Sequence, residues 1–247
     1  MSSDRIIWPS ERTVVPIDRV DMRLQAGQHP FQIAEADAIA RNWALETTAN
    51  PALFNGDVLL QDEVRLENGV VHARARLSDF ATLLWWLKQR QPVSGGIFVA
   101  SAVPMSSDGA LIVIRMARHT ANAGKVYFAA GSLDRSDVMP GGQVDTLGSM
   151  ARELLEETGL SVAEAVADPQ LYATGFNRRH YAFRLFRFPM TAQEMCRRVE
   201  THMQTDPNPE IDAVYAIRDA DPQASNYDGL TRIVLSFVFG NPRDIAG

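Results

Sequence analysis

Residues 146–160 read TLGSMARELLEETGL, and two patterns overlap in them. Leu147, Met150, Ala151, Leu154 and Leu155 recur at helical spacing, one apolar stripe, and Gly159 stands where the residue after a helix C-cap belongs. On the other side Glu153, Glu156 and Glu157 fall at i, i+3 and i+4, so three carboxylates crowd one face. Like charges at this spacing cost roughly 0.2–0.5 kcal/mol each, and acids in a last turn oppose the helix dipole by a further ~0.3–1 kcal/mol. A hard divalent cation such as Mg²⁺, which prefers carboxylate and phosphate oxygens, would relieve that crowding. The plain alternative is a solvated face on which Arg152 pairs with Glu156.

Working outward, 97–103, 111–115 and 126–128 read as strands, with a Ser107-Asp108-Gly109 turn between the first two and a Gly/Asp/Pro-rich loop before the helix. Runs at 181–187 and 211–218 read as strands around a helix near 191–204, and a final helix is expected near 229–239. Toward the N-terminus, 13–24 reads as one strand. A helix opens at Pro30, carries Ile33, Ala36, Ile39, Ala40 and Trp43, and ends near Asn50-Pro51. Two extended runs, 58–66 and 70–77, are joined by Asn68-Gly69, the dipeptide of a type I′ hairpin. Asp79 is an N-cap candidate for a short helix with Phe80, Leu83, Leu84 and Leu87, and Pro92 to Gly96 reads as a linker. Phe54, Trp85 and Trp86 read as core or subunit-contact residues. The expected organisation is an N-terminal α/β extension, 1–95, on a mixed α+β core, 96–247.

The 247 residues are 46% hydrophobic and 22% charged, near the globular average, which excludes disorder and fibrous repeats. A net charge of −6 without a basic stripe argues against nucleic-acid binding. The start MSSDRIIWPSERT lacks the apolar run of a secretory signal, and no segment approaches the ~20 apolar residues of a membrane span, so a soluble cytoplasmic protein without a membrane partner is expected. Cys196 is the single cysteine, leaving oxygen or imidazole as the main metal donors.

The string Arg152-Glu153-Leu154-Leu155-Glu156-Glu157-Thr158-Gly159-Leu160 closely resembles the second half of the Nudix box, R-E-U-x-E-E-x-G-U. The resemblance implies a Nudix fold, a mixed β-sheet sandwiched between helices, and a Mg²⁺-dependent (or Mn²⁺-dependent) hydrolase that cleaves a diphosphate linkage. It implies Glu153, Glu156 and Glu157 as metal ligands and Arg152 as a residue that orients a glutamate. The first half departs from the family pattern G-x5-E-x7-R, whose glycine and glutamate positions hold Val138 and Val144. In one register Ala130-Gly131-Ser132-Leu133-Asp134 replaces the glycine turn and 135–144 contain an insertion; in the other, Gly141 to Asp145 is that turn and the loop is shortened. The first is preferred, with Gly131, Ser132 and Asp134 of the loop, together with Arg115, expected to meet substrate. Asp134, Asp137 or Asp145 stands in for the missing glutamate, although Asp145 directly before the helix also suits an N-cap. Glu210, ahead of a strand, is the candidate catalytic base. Arg178, Arg179 and His180 form a basic cluster with two readings, contact with a substrate phosphate or, by default, a solvated loop.

The segment Asn50-Pro51-Ala52-Leu53-Phe54-Asn55-Gly56 is similar to one in the UDP-sugar diphosphatase branch, while the aspartate-bearing glycine loop resembles the coenzyme A branch. The expected partner is a small nucleoside diphosphate derivative of UDP-sugar, coenzyme A or ADP-ribose type. The rival reading is a catalytically impaired Nudix-fold nucleotide-binding or sensor module. A homodimer through the apolar extension is expected in either case.

Overall fold

The computed structural model describes residues 5–8, 10–90, 92, 94–221 and 224–240. The extension forms β1 (Arg5–Ile7), β2 (Val15–Ile17), β3 (Arg19–Gln25), α1 (Pro30–Ala34), α2 (Ala36–Ala49), β4 (Asp57–Glu67), β5 (Val70–Asp79) and α3 (Phe80–Leu87). There follow β6 (Ile97–Met105), β7 (Leu111–Met116), β8 (Val126–Tyr127), α4 (Thr146–Thr158), β9 (Val166–Ala167) and β10 (Leu171–Phe176). The chain closes with β11 (Arg179–Arg187), α5 (Ala192–Thr205), β12 (Ile211–Ile217) and α6 (Gly229–Phe239). Of the expected leaderless start, 1–4 and Pro9 lie outside the described residues, as does Val93 of the expected linker.

The first sheet has the order β1-β4-β5-β3 and is built on the expected hairpin. Asn68 (φ 48°) and Gly69 (φ 76°) supply the two positive φ angles between paired Glu67 and Val70. The expected single strand over 13–24 is divided in two. The Asp18 N–H donates to the Gly69 carbonyl at 2.7 Å, and this anchor on the hairpin tip turns the chain from one sheet to the other. On one side of it β2 pairs with β10; on the other, β3 pairs in parallel with β5.

The second sheet has the order β12-β7-β6-β11-β10-β2, with β8 on β7 and β9 on β11. Its central β6–β11 pair is parallel and the neighbouring pairs are antiparallel. Because strand side chains alternate between faces, each strand feeds two cores. Phe98, Ala100, Ile112, Ile114 and Ala182 share one core with Met150 and Leu154 of α4, Met195 and Val199 of α5, and Met22, Leu59 and Val71 of the first sheet. Val103, Leu111, Val113, Tyr181 and Phe183 pack with Val234 and Leu235 of α6 on the other face. The result is a mixed sheet between helices, as expected, with the extension's sheet sharing the core beneath α4.

Two expectations about apolar residues are corrected. Only Met150 and Leu154 of the α4 stripe are buried; Leu147 and Leu155 flank the line of contact and stay exposed. Of the two readings of Phe54, core or subunit contact, the core one is overturned, since the side chain is 82% exposed. Its neighbour Asn55 ties the turn to α3 by accepting from the Ala81 N–H at 2.7 Å, and Phe54 stays on the outside of the turn. Trp86 is in the core with Phe31, Val58 and Leu83.

Gly69→Ala should destabilise the protein by about 1–3 kcal/mol in chemical denaturation, because a methyl there combines a positive φ with a contact 2.6 Å from Asp18 Oδ2. An unchanged midpoint would show that the hairpin tip does not set the sheet-to-sheet turn.

Candidate functional site

Helix α4 is delimited by its own sequence. Asp145 accepts from the Gly148 N–H at 2.8 Å as N-cap, and Gly159 ends the helix in the left-handed conformation. With Met150 and Leu154 anchored on the sheet, Glu153, Glu156 and Glu157 project toward the segment between α5 and β12. There they line a cleft of about 200 Å³ together with His202, Asp206 and Glu210. The sequence places Glu210 far from the helix, and the fold brings it to the same cleft. His202 was not singled out by its sequence context; it lies on the rim, and its Nε2 is 2.8 Å from the Glu156 carbonyl in the unsatisfied last turn of α4.

The glycine loop meets the helix directly. The Ala130 N–H donates to Glu157 Oε2 at 3.1 Å, and a methyl on Gly131 would lie 2.4 Å from the Glu153 carboxylate, so the loop backbone and that carboxylate meet with no side chain between them. Arg152 donates to Asp137 at 2.9 Å, Glu153 at 2.7 Å and Glu156 at 3.2 Å. Asp137, 6% exposed, is therefore the buried carboxylate facing Arg152. The signal was present in Gly131-Ser-Leu-Asp-Arg-Ser-Asp137, which has the family's G-x5 spacing with Asp in place of Glu. Asp134 is occupied as the cap of a 3-10 turn, Arg135–Asp137, accepting from the Ser136 N–H at 2.6 Å.

The stretch after Asp137 is held by the extension. Leu24 N–H donates to the Gly142 carbonyl at 2.8 Å, and Val144 N–H to the Met22 carbonyl at 2.9 Å. Leu59 N–H donates to the Leu133 carbonyl at 2.7 Å, and Arg135 pairs with Asp57 at 2.9 Å. The first sheet thus grips the loop on both sides of Asp137.

Burial and like charge act on the acids together. Burial pushes Glu153 up, Arg152 pulls it down, and Glu156 and Asp137 push it up again, to about 7. Glu157 is pushed up to about 8 by burial and then by the charges of Glu153 and Glu210, against the hydrogen bond from Ala130. Burial opposes the charge on Arg152, but the bond to Asp137 and the charges of Glu153, Asp137 and Glu156 outweigh it and raise its pKa. These are carboxylates short of positive charge. As they lie, no three acidic or imidazole groups among the described residues form a ready cation cage, since Arg152 draws Glu153 and Glu156 to itself. The donor set nonetheless fits a hard cation: oxygen donors only, in one cleft, with two of them buried beyond what a single arginine offsets.

Other expected substrate residues divide. Gly131 and Ser132 line a second, larger cavity of about 400 Å³ beside the loop. Arg115 lines neither cavity: it pairs with Asp212 at 2.5 Å and bonds Tyr215 at 3.0 Å across β7 and β12. The solvated-loop reading of 178–180 is corrected. His180 is 2% exposed against Trp8, and burial followed by the charge of Arg178 lowers it to about 3; Arg179 lines the larger cavity. Both lie at the start of β11 in the sheet interior rather than on a surface loop.

The Glu157 shift fixes a pH dependence. Its folded value, about 8, lies above the ordinary 4.5, so the native chain holds a proton that the unfolded chain releases. Stability of the metal-free protein should be highest below pH 4.5 as far as this group is concerned, and should fall as pH rises toward 8. The ceiling is about 1.4 kcal/mol per pH unit, reduced by solvent in the cleft. Denaturation in chelator across that window should show the fall, and Glu157→Gln should flatten it; equal slopes would contradict the burial of this acid.

No protein-family model matches the sequence, and no curated protein matches it. Among solved structures the chain is similar to the MutT protein from Methanosarcina mazei Go1, at 16% identity and a TM-score of 0.35 over 57% of this chain and 91% of that one. It is also similar to RenU, a Nudix hydrolase from M. smegmatis, at 10% identity and 0.39 over 58% and 82%. A C. elegans Ap4A hydrolase binary complex gives 12% identity and 0.34 over 57% and 97%.

Proposed function

We propose that this chain is a Nudix-type diphosphatase, a divalent-cation-dependent hydrolase of a nucleoside diphosphate derivative. The observation that carries the reading is the cleft in which Glu153 and Glu157, both partly buried and short of positive charge, stand with Glu156 and Glu210, with Glu153 against the Gly131 backbone. Glu153, Glu156 and Glu157 would hold Mg²⁺ or Mn²⁺, which when bound offsets the charge that builds on the bridging and leaving oxygens. Asp137 fixes Arg152, and Arg152 in turn orients Glu153. Gly131 and Ser132 border the larger cavity, so a diphosphate beside the helix face would meet their backbone. Glu210, exposed on the cleft rim, would take the proton from the attacking water. Asp134 and Arg115 are already engaged, so the substrate role falls first on Gly131 and Ser132.

UDP-sugar, ADP-ribose and coenzyme A remain the proposed substrate types, joined by the diphosphate they share. The proposed setting is the cytoplasm. The proposed assembly is a homodimer through the extension, on which Ile33, Leu45 and Phe54 are exposed.

The test is turnover of UDP-glucose, ADP-ribose and coenzyme A with Mg²⁺ or Mn²⁺. Wild type should cleave at least one, and Glu157→Gln should lose about 100-fold or more; a variant as active as wild type contradicts the assignment. Gly131→Ala separates site from stability. Its methyl meets only the far end of a flexible side chain, so stability should change by less than about 1 kcal/mol. Calorimetric Mg²⁺ affinity should fall about tenfold or more as the Glu153 carboxylate is displaced. Unchanged affinity would remove Glu153 from the ligand set.

A further inference from the structure

We infer, resting on the diphosphatase reading, that the larger cavity between α3 and α6 is this chain's specificity pocket and takes a neutral polar ring, sugar or nucleobase, carried on the diphosphate. Its volume of about 400 Å³ is in the range of small-molecule pockets. Ala130, Gly131 and Ser132 are part of its lining, and the same loop meets Glu157 through the Ala130 N–H and Glu153 at Gly131. A group attached to a diphosphate lying over that loop is therefore next to the cavity. Tyr127 marks how close the two sites are, since its hydroxyl responds to the charges of both Glu157 and Asp228.

The lining matches one ring with an apolar face and a polar edge. Leu83, Leu84 and Leu87 of α3 make a flat aliphatic wall, contributed by the extension rather than by the strands and helix that carry the acids. Arg179 and Asp228 are charged groups of the lining, beside Lys125, whose Nζ donates to Asn226 Oδ1 at 3.4 Å. No ion pair joins them, although each feels the other's charge, and Arg179 Nε is buried without a hydrogen-bond partner. The guanidinium has one contact, from Nη2 to the Leu87 carbonyl at 3.3 Å. Asp228 accepts from the Thr231 N–H at 2.7 Å as the cap of α6, which leaves further acceptor sites on its carboxylate. A half-buried cation and a half-buried anion held apart are costly unless something bridges them. A ring bearing both acceptors and donors completes the set: Arg179 donates to it and Asp228 accepts from it.

The test uses the two halves of a UDP-sugar as separate probes, UMP and glucose 1-phosphate, titrated calorimetrically into the full chain with Mg²⁺ present. Leu84→Trp fills the cavity from its apolar wall. Asp228→Asn keeps a capping side chain on α6 while removing the acceptor charge. Both variants should retain wild-type Mg²⁺ affinity within twofold and lose at least tenfold in affinity for the same single probe. Loss confined to UMP places the nucleobase in the cavity, and loss confined to glucose 1-phosphate places the sugar there. Unchanged binding of both probes, or binding of neither to wild-type protein that holds Mg²⁺, overturns the pocket assignment. Failure of the wild type to bind Mg²⁺ overturns instead the reading on which the pocket rests.

Discussion

Glu153 and Glu157 are acids that the fold has partly removed from water without giving either a full counter-charge. Arg152 faces Glu153, but it is shared with Asp137 and Glu156, and Glu157 receives only the Ala130 N–H. Burying a carboxylate is expensive unless charge compensates it, so their elevated pKa values measure an unfinished electrostatic arrangement. The glycine loop has to come within reach of Glu153, α4 has to be pinned on the sheet by Met150 and Leu154, and the α5–β12 segment has to close the far side.

The first sheet bears on that arrangement more than its distance along the chain suggests. Its strands supply backbone partners to Leu133, Gly142 and Val144, and Asp57 pairs with Arg135, so the loop carrying Asp137 is stitched in place from both sides. The extra length between Asp137 and Arg152 is ordered by these bonds. The same extension supplies α3 to the larger cavity. Local opening of the first sheet would therefore loosen the acid cluster and the cavity wall together, a coupling that follows from shared contacts.

What could be read from the residues follows physical range. The hairpin at Asn68-Gly69, the α4 helix and its Gly159 stop, and the cap at Asp145 depend on neighbours a few positions apart, and they lie where their local chemistry places them. The division of 13–24 depends on a bond between Asp18 and Gly69, which no local pattern contains. Phe54 is by type a core or subunit-contact residue, and the bond from Ala81 N–H to Asn55, which holds the turn, leaves it outside the core. The acids of α4 were legible as a cluster, whereas the approach of His202 and Glu210 required the return of the chain through α5 and β12. Asp137 was visible as one of three aspartates, and its geometry against Arg152 distinguishes it from Asp134 and Asp145, which are spent on caps. Arg179 and Asp228 are neighbours only because β11 and the start of α6 flank one cavity.

The most direct measurement is anomalous scattering from a crystal of the protein grown with Mn²⁺. The account predicts a peak in the cleft within about 2.3 Å of carboxylate oxygens from Glu153, Glu156 and Glu157, with Glu156 swung away from Arg152. A cleft without such a peak at saturating cation, with Arg152 still holding Glu153 and Glu156, would contradict it.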